Sequence, residues 1–305
     1  IAAGTTIDLN IDMVTEIQNA ENVTIQIDAA VAIASVKFVL DEIEKHRLDP
    51  DPHPNFNPRS LPRGYINGLE IAPGADAAHD IAVSAGVARS DDNAADIALE
   101  AALTKQADAA WAEGDNAGGM AAGESLPTSG TIHVWAISGS GGVDVLFSDN
   151  AASGLSPTLP AGFTAKRRIA SLRTDAAANL IPTHQSGDIF LMPRSVDVSN
   201  SGAFARALVA LTVPNGIEVQ PIGDAYANPS TNNASLQLSL GDWRGDATIF
   251  VSMEEDNDSK SATHDLASWG PAIFANTSGQ VFFEVTGGNG GSEIAVTGWR
   301  DMRRV

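Results

Sequence analysis

The chain has 305 residues, with 18 Lys and Arg against 38 Asp and Glu, which gives a formal net charge of −20. So acidic a surface disfavours binding to nucleic acid or anionic lipid, because both are polyanions. The absence of cysteine excludes disulfides, thiolate metal sites and cysteine nucleophiles. The sequence contains no run of about 18 apolar residues, so no transmembrane helix is predicted.

Residues 1–45 are predicted to form an N-terminal attachment and oligomerisation segment containing a short helix. The opening IAAGTTIDLNI has neither an initiator Met nor a signal-peptide pattern, so we expect residue 1 to be a fragment boundary. Ile33, Val36, Leu40 and Ile43 follow the spacing of a coiled-coil seam, and isoleucine at both core positions favours three or four strands. The alternative is a single amphipathic helix packed on its own domain, since an isolated helix this short is marginal.

A proline-rich joint is predicted over residues 46–63, which begin HRLDPDPHPNFNP. Its closely spaced prolines predict a semi-rigid extended spacer. His46 and His53 are candidate metal ligands, because one imidazole from each of three parallel chains would meet near a threefold axis. The alternative is a solvated linker whose charges face water. No other cofactor is predicted.

Residues 64–200 are predicted to be a β-rich fibre body, built of short apolar runs broken by Gly, Asp and Asn. The runs IHVWAI and VDVLF flank SGSGG, which predicts a hairpin with Trp135 in the core. The alanine content of residues 96–112 suits a helix, while their alternation is too weak to decide between helix and strand.

Residues 201–305 are predicted to form a C-terminal β-sandwich domain, from strand runs at regular spacing with turn residues between them. The fold class expected for the whole chain is mainly β, with a short helical stalk followed by sandwich- or jelly-roll-like domains. The acidic run EEDNDSK at 254–260 lacks the glycine and distal glutamate of an EF-hand, so we predict an exposed turn.

Catalytic motifs are not matched. Ser140 lies in a glycine-rich turn, but residue 138 is Ser where a nucleophile elbow requires Gly. The glycine-rich run at 114–120 lacks the Lys-Ser/Thr of a phosphate loop. We therefore predict no catalytic residue and no enzymatic activity.

Aromatic residues with polar neighbours on predicted loops are the candidate ligand contacts. Trp243 lies between Asp242 and Arg244, and Tyr226 and Trp269 have similar turn-like surroundings. Exposed rings on the loops of a rigid β scaffold suit carbohydrate binding. The alternative is that these rings cap the ends of the sandwich as part of the core.

Several short sequence phrases, taken in their order along the chain, resemble those of a known protein family. They include DPDPHPNF in the joint, KRRIASLRT at 166–174 and AVTGWRDMRRV at 295–305, with GYINGLEI, HDIAVSAGVAR, HVWAI and GDIF between them. Together they cover roughly residues 46 to 305, and the chain resembles bacteriophage and prophage tail-fibre proteins. Two positions depart from the pattern: Ala170 stands where a Gly usually follows K-R-R-I, and Met302 interrupts the closing phrase.

The resemblance implies a virion component, usually an oligomeric fibre or spike, that attaches to the host surface without catalysis. With the seam, it predicts a homotrimer that joins other tail, baseplate or capsid proteins through its N-terminal region. The expected receptor is host surface polysaccharide or an outer-membrane protein, with no nucleic acid partner and no membrane insertion. We expect assembly in the bacterial cytoplasm and action at the virion surface. The alternatives are a head fibre or capsid decoration, a polysaccharide depolymerase, and a free-standing bacterial adhesin module.

Overall fold

The structure, a computed structural model, describes residues 60–149, 156–229, 235–244, 251–256, 267–268, 273–287 and 290–303. The chain divides into two compact units, Ile1–Pro58 and Arg59–Val305, and every described residue belongs to the second. The predicted helix and seam, His46 and His53 in the joint, and Trp269 lie outside the described residues.

Within the described ranges, every helix or strand segment is a β-strand, which confirms the mainly β class. The first ten strands are β1 (Ile66–Gly68), β2 (Ile71–Pro73), β3 (Asp80–Val83), β4 (Gly86–Arg89), β5 (Asp96–Leu99), β6 (Leu103–Ala110), β7 (Ala117–Met120), β8 (Thr131–Gly139), β9 (Gly142–Ser148) and β10 (Phe163–Arg173). The others are β11 (His184–Ser186), β12 (Ile189–Ser201), β13 (Phe204–Ala210), β14 (Val219–Pro229), β15 (Ser235–Gly241), β16 (Val251–Asp256), β17 (Ala267–Ser268), β18 (Gln280–Gly287) and β19 (Gly290–Asp301). No helix in these ranges has the length and apolar content that a membrane span requires.

The first ten strands form two sheets. One has the order β1-β4-β5 and the other the order β10-β8-β9-β7-β6-β3-β2. The predicted hairpin is confirmed as β8 and β9, which pair antiparallel up to Gly139 and Gly142. Gly142 has a φ of 104°, a left-handed conformation that glycine adopts without steric cost, so the turn depends on it.

The remaining strands also form two sheets, with the orders β11-β12-β19-β14-β17 and β13-β18-β15-β16. Strand β19 lies between β12 and β14 and is antiparallel to both. The late strands β18 and β19 are therefore interior strands, whereas β13 lies at an edge of the second sheet.

The alanine-rich stretch at residues 96–112, which suits both helix and strand by its sequence, forms the two strands β5 and β6. Along β5 the residues alternate between exposed and buried, with Ile97 and Leu99 in the core. Two isoleucine or leucine side chains facing the same interior are enough to fix the strand, because alanine itself has little preference for either face. In the acidic run, Glu254, Glu255 and Asp256 pair with β15 rather than forming a turn, which corrects the prediction for these three residues. Residues 257–260 lie outside the described residues.

A continuous apolar cluster connects all four sheets, with members such as Ile97, Val134, Leu238, Phe283 and Trp299. A smaller cluster on the other side of the β8–β9 hairpin contains Trp135, Ile137, Leu146 and Phe163. Strand β8 is buried on both faces for this reason. The core position predicted for Trp135 is confirmed, because only 2% of the residue is exposed.

A buried ion pair holds the loop after β6 against β9. The Nζ atom of Lys105 lies 3.0 Å from Oδ1 of Asp144, and both side chains are almost fully buried. The same ammonium group donates to the carbonyl oxygens of Ala112 and Gly114, while the N–H of Gly114 donates to Asp144. The charges are thus hydrogen-bonded as well as paired, which a buried pair needs if it is to be tolerated.

Candidate functional site

The turn after β15 contains three of the predicted ligand contacts, Asp242, Trp243 and Arg244. Asp242 fixes this turn: its Oδ1 accepts from the N–H of Arg244 at 2.7 Å, and its Oδ2 accepts from the N–H of Phe274 at 3.2 Å. The N–H of Trp243 donates to the carbonyl of Phe274 at 3.3 Å. A short polar side chain that bonds to the backbone two residues later is a common way to stabilise such a turn.

The guanidinium of Arg244 is held close to two aromatic rings. Its central carbon lies 5.2 Å from the ring centre of Trp243 and 5.1 Å from that of Phe274. One terminal nitrogen pairs with Asp242 at 3.1 Å, and the other pairs with Oε2 of Glu218 at 2.5 Å. We call these five residues the Arg244 cluster.

The Arg244 cluster is open to solvent while its geometry is fixed. The side chains of Arg244 and Glu218 are 41% and 38% exposed, and that of Asp242 is 11% exposed. Trp243 is half-buried, so it is neither a bare platform nor a core residue. Its buried Nε1 has no hydrogen-bond partner in the described part of the chain. Such a surface can stack on a flat apolar group and hydrogen-bond its polar substituents at the same time.

Tyr226 belongs to a different set of contacts, on the face of the five-stranded sheet. It lies on β14 opposite Glu293 of β19, and its hydroxyl donates to that carboxylate at 3.4 Å. Arg194 of β12 pairs with the same Glu293 at 2.6 Å and with Asp224 of β14 at 2.7 Å. We call Arg194, Asp224, Tyr226 and Glu293 the Arg194 cluster.

Hydrogen bonds and burial set the charge states of this second cluster. The hydrogen bonds that Arg194 donates to Asp224, and then to Glu293, raise the pKa of Arg194. Burial, with the nearby charge of Glu293, raises the pKa of Tyr226. The arginine therefore stays charged and the tyrosine stays neutral at ordinary pH, so the phenol can donate a hydrogen bond.

The structure thus brings Asp242, Trp243 and Arg244 together and groups Tyr226 with other partners. Sequence reasoning missed Glu218, Phe274, Arg194, Asp224 and Glu293. The contacts of these residues join segments far apart in the chain, so no local motif marks them. Among the described residues, no three His, Asp or Glu side chains lie close enough together to hold a metal ion.

Two phrases that carry the sequence resemblance meet in space. Arg168, from K-R-R-I, forms a bidentate ion pair with Asp301, from the closing G-W-x-D-x-R, at 2.5 and 3.0 Å. Arg303 donates to the carbonyl of Ile169, and Arg167 donates to the carbonyl of Arg303. We call these contacts the C-terminal clamp. They give both phrases a structural role, because they attach the end of β19 and the residues that follow it to β10.

The two residues that depart from the familiar phrases, Ala170 and Met302, are compatible with the contacts of the C-terminal clamp. Ala170 is fully buried, and Met302 is 47% exposed. A methyl group is therefore accommodated inside, while the methionine is largely in solvent. Neither residue disturbs the pairing of Arg168 with Asp301.

A serine–histidine pair lies next to the clamp but is not accessible. The Nδ1 atom of His133 is 2.8 Å from the Oγ of Ser171, which also accepts a hydrogen bond from Arg168 at 2.9 Å. Burial, with the charge of Arg168 second, lowers the pKa of His133 to about 4. His133 is 1% exposed and Ser171 is fully buried, so no substrate reaches the hydroxyl. The pair is part of the packing between β8 and β10.

Comparison with protein-family models and with curated proteins finds no match for this chain. The ordered phrases of the sequence and the two surface clusters are therefore the features of this chain that bear on its function. Of these, the Arg244 cluster contains three of the predicted ligand contacts in one place.

Proposed function

We propose that this chain is a structural virion protein, a tail fibre or spike of a phage or phage-like particle. In this proposal it mediates adsorption to the host cell by binding surface glycans, and it catalyses no reaction. The observation that carries the proposal is the Arg244 cluster on its β scaffold. Sugars offer apolar C–H faces for stacking and hydroxyl groups for planar donors and carboxylates, and the cluster has both kinds of partner.

The ordered phrases support the location on a particle. We propose a homotrimer assembled through Ile33, Val36, Leu40 and Ile43, followed by the stiff joint at 46–63 and sandwich- or jelly-roll-like domains at 64–200 and 201–305. The N-terminal region would join tail, baseplate or capsid proteins, and the receptor would be host polysaccharide or an outer-membrane protein. Several copies on one particle convert weak single contacts into firm attachment through avidity.

Binding to intact host cells, or to their purified surface polysaccharide, tests the glycan site. Arg244→Gln removes the charge from the Arg244 cluster, and we expect it to weaken binding roughly tenfold, the effect of losing one good charged contact. Arg206→Gln is the matched control, since the guanidinium of Arg206 also lies over a ring, at 4.6 Å from the centre of Phe282, on another strand. Equal binding by both variants and the parent chain would rule out the Arg244 cluster as the glycan site.

The place on the particle needs its own measurement, since a head fibre or capsid decoration would have the same domains. Labelled antibody against residues 60–303 should decorate tail tips in electron micrographs of intact particles. Labelling over the capsid instead would assign the chain to the head.

A further inference from the structure

The outer face of the five-stranded sheet exposes large apolar side chains. Leu191 and Val196 on β12 are each 48% exposed, and Met302, just after β19, is 47% exposed. On the opposite face of the same strands, Phe190 and Trp299 are fully buried and stacked with ring centres 5.7 Å apart. The apolar residues on the outer face are thus exposed to solvent and do not belong to the core.

The strand register places Leu191 and Val196 beside β19, on either side of a register shift between Leu191 and Ser195. Gly298 of β19 lies between Leu191 of β12 and Ile222 of β14, directly opposite each of them. Because Gly298 has no side chain, nothing from β19 rises between these two apolar side chains. Farther along, Val196 is opposite Ala295, and Arg194 reaches across β19 to Asp224. We define the outer face by Leu191, Val196, Ile222, Gly298, Arg300, Met302 and the Arg194 cluster.

The formal charge of the outer face differs from that of the whole chain. Arg194 and Arg300 oppose Asp224 and Glu293, so two positive and two negative charges sum to zero, whereas the chain carries −20. Most of its surface therefore repels a second copy. A neutral apolar face is where another copy approaches at least electrostatic cost and buries most apolar area.

Positive and negative charges on the outer face lie toward opposite ends of β19. Arg300 lies near one end, is exposed, and forms no ion pair within the described ranges. Toward the other end, Arg194 is outnumbered by Asp224 and Glu293, which leaves one net negative charge. A second copy laid antiparallel across this face would bring its Arg300 over that negative end, and the reverse contact would form at the same time.

We propose that the outer face is a two-fold interface with a second copy of this chain. An interface of this kind uses the same patch on both partners, so it joins copies in pairs. It rests on the oligomeric part of the proposed function and is independent of glycan binding. If the N-terminal seam forms trimers, the outer face pairs them, and the assembly contains an even number of chains.

Light scattering after size-exclusion chromatography of the full chain tests this interface. We expect a mass corresponding to an even number of chains, and half that mass for the double variant Leu191→Asp/Val196→Asp. Leu208→Asp is the control, because Leu208 is 39% exposed on β13, in the other sheet. It should leave the mass unchanged. Circular dichroism and the thermal midpoint establish that each variant is folded.

Arg300→Glu provides a second test that keeps the apolar residues intact. It should raise the dissociation constant for pairing by roughly tenfold or more, as expected for a charged residue at an interface. A trimer whose mass changes in none of these variants would overturn the two-fold interface and leave the proposed trimer standing. A monomeric parent chain would overturn both oligomeric proposals, while the separate cell-binding assay still decides the glycan site.

Discussion

At the scale of single residues, His133 shows how burial controls a titratable group. Its Nδ1 lies next to a Ser171 hydroxyl that already accepts a hydrogen bond from Arg168. The hydroxyl hydrogen is thus available to Nδ1, which leaves the ring proton on Nε2, where no described residue accepts it. A second proton would place a positive charge in the interior beside Arg168.

The first prediction follows from this environment. The pKa of His133 is lowered to about 4 from an ordinary value of 6.5, so the unfolded chain binds a proton that the folded chain does not. Stability is therefore lost as the pH falls from 6.5 toward 4, by about 2–3 kcal/mol between roughly pH 7 and 4.5. His133→Asn keeps an acceptor near Ser171 but does not titrate. Urea unfolding at the two pH values should show that the variant loses less stability than the parent, and an equal loss would contradict the assignment.

At the scale of strands, close backbone approach explains why residue 298 is a glycine although it lies in no turn. A Cβ atom on Gly298 would lie 2.1 Å from the carbonyl oxygen of Phe190 on the neighbouring strand. Because that oxygen belongs to the backbone of a paired strand, it has little freedom to move away. Gly291, on the same strand β19, has open space at the corresponding position.

The second prediction compares these two glycines. Gly298→Ala should lower the free energy of unfolding by about 2 kcal/mol, because the added methyl group forces β12 and β19 apart. Gly291→Ala should change it by less than about 0.5 kcal/mol. Thermal or urea unfolding of the two variants provides the comparison, and equal effects would show that the strands do not approach as described.

The same scale shows how far local sequence determines this fold. The β8–β9 hairpin was predictable because its two apolar runs and its glycine-rich turn are adjacent in the chain. Residues 96–112 were not, because alanine suits both helices and strands and only Ile97 and Leu99 mark the buried side. The contact of Arg244 with Glu218 and Phe274 needed the order of strands in the sheets, which no local pattern encodes. The seam, the joint histidines and Trp269 stay predictions.

At the scale of the whole molecule, the C-terminal clamp connects β10 in the first pair of sheets with β19 in the second. The Arg168 and Asp301 side chains are only 14% and 2% exposed, so their charges are poorly screened by water. Surface ion pairs such as that of Arg194 with Asp224, where the arginine is 41% exposed, contribute much less to stability.

The third prediction concerns this clamp. Asp301→Asn should lower the free energy of unfolding by about 3 kcal/mol, because Arg168 is left as a largely buried, uncompensated charge. Asp224→Asn is the matched control on the exposed pair and should cost less than about 1 kcal/mol. Denaturant unfolding distinguishes them. If the two variants lost the same stability, the clamp would be no stronger than a surface pair.

The fourth prediction concerns the net charge of −20. Repulsion among the acidic groups destabilises the folded chain, and dissolved salt screens it. Raising sodium chloride from about 0.02 M to about 0.5 M should therefore raise the thermal midpoint by several degrees, and potassium chloride should do the same. A midpoint that stays constant or falls would show that local ion pairs outweigh the overall repulsion.

The position of β19 has a consequence for synthesis of the protein on the ribosome. This strand is translated after both of its neighbours, β12 and β14, yet it forms the middle of their sheet. The two earlier strands must wait, without their shared partner, until Gly290–Asp301 has emerged. A nascent chain that stops before Gly290 lacks both the sheet centre and the clamp to β10. Only chains translated through β19 can complete this part of the fold. In prematurely terminated products, β12 and β14 would each expose the strand edge that β19 covers, and proteases could recognise those edges.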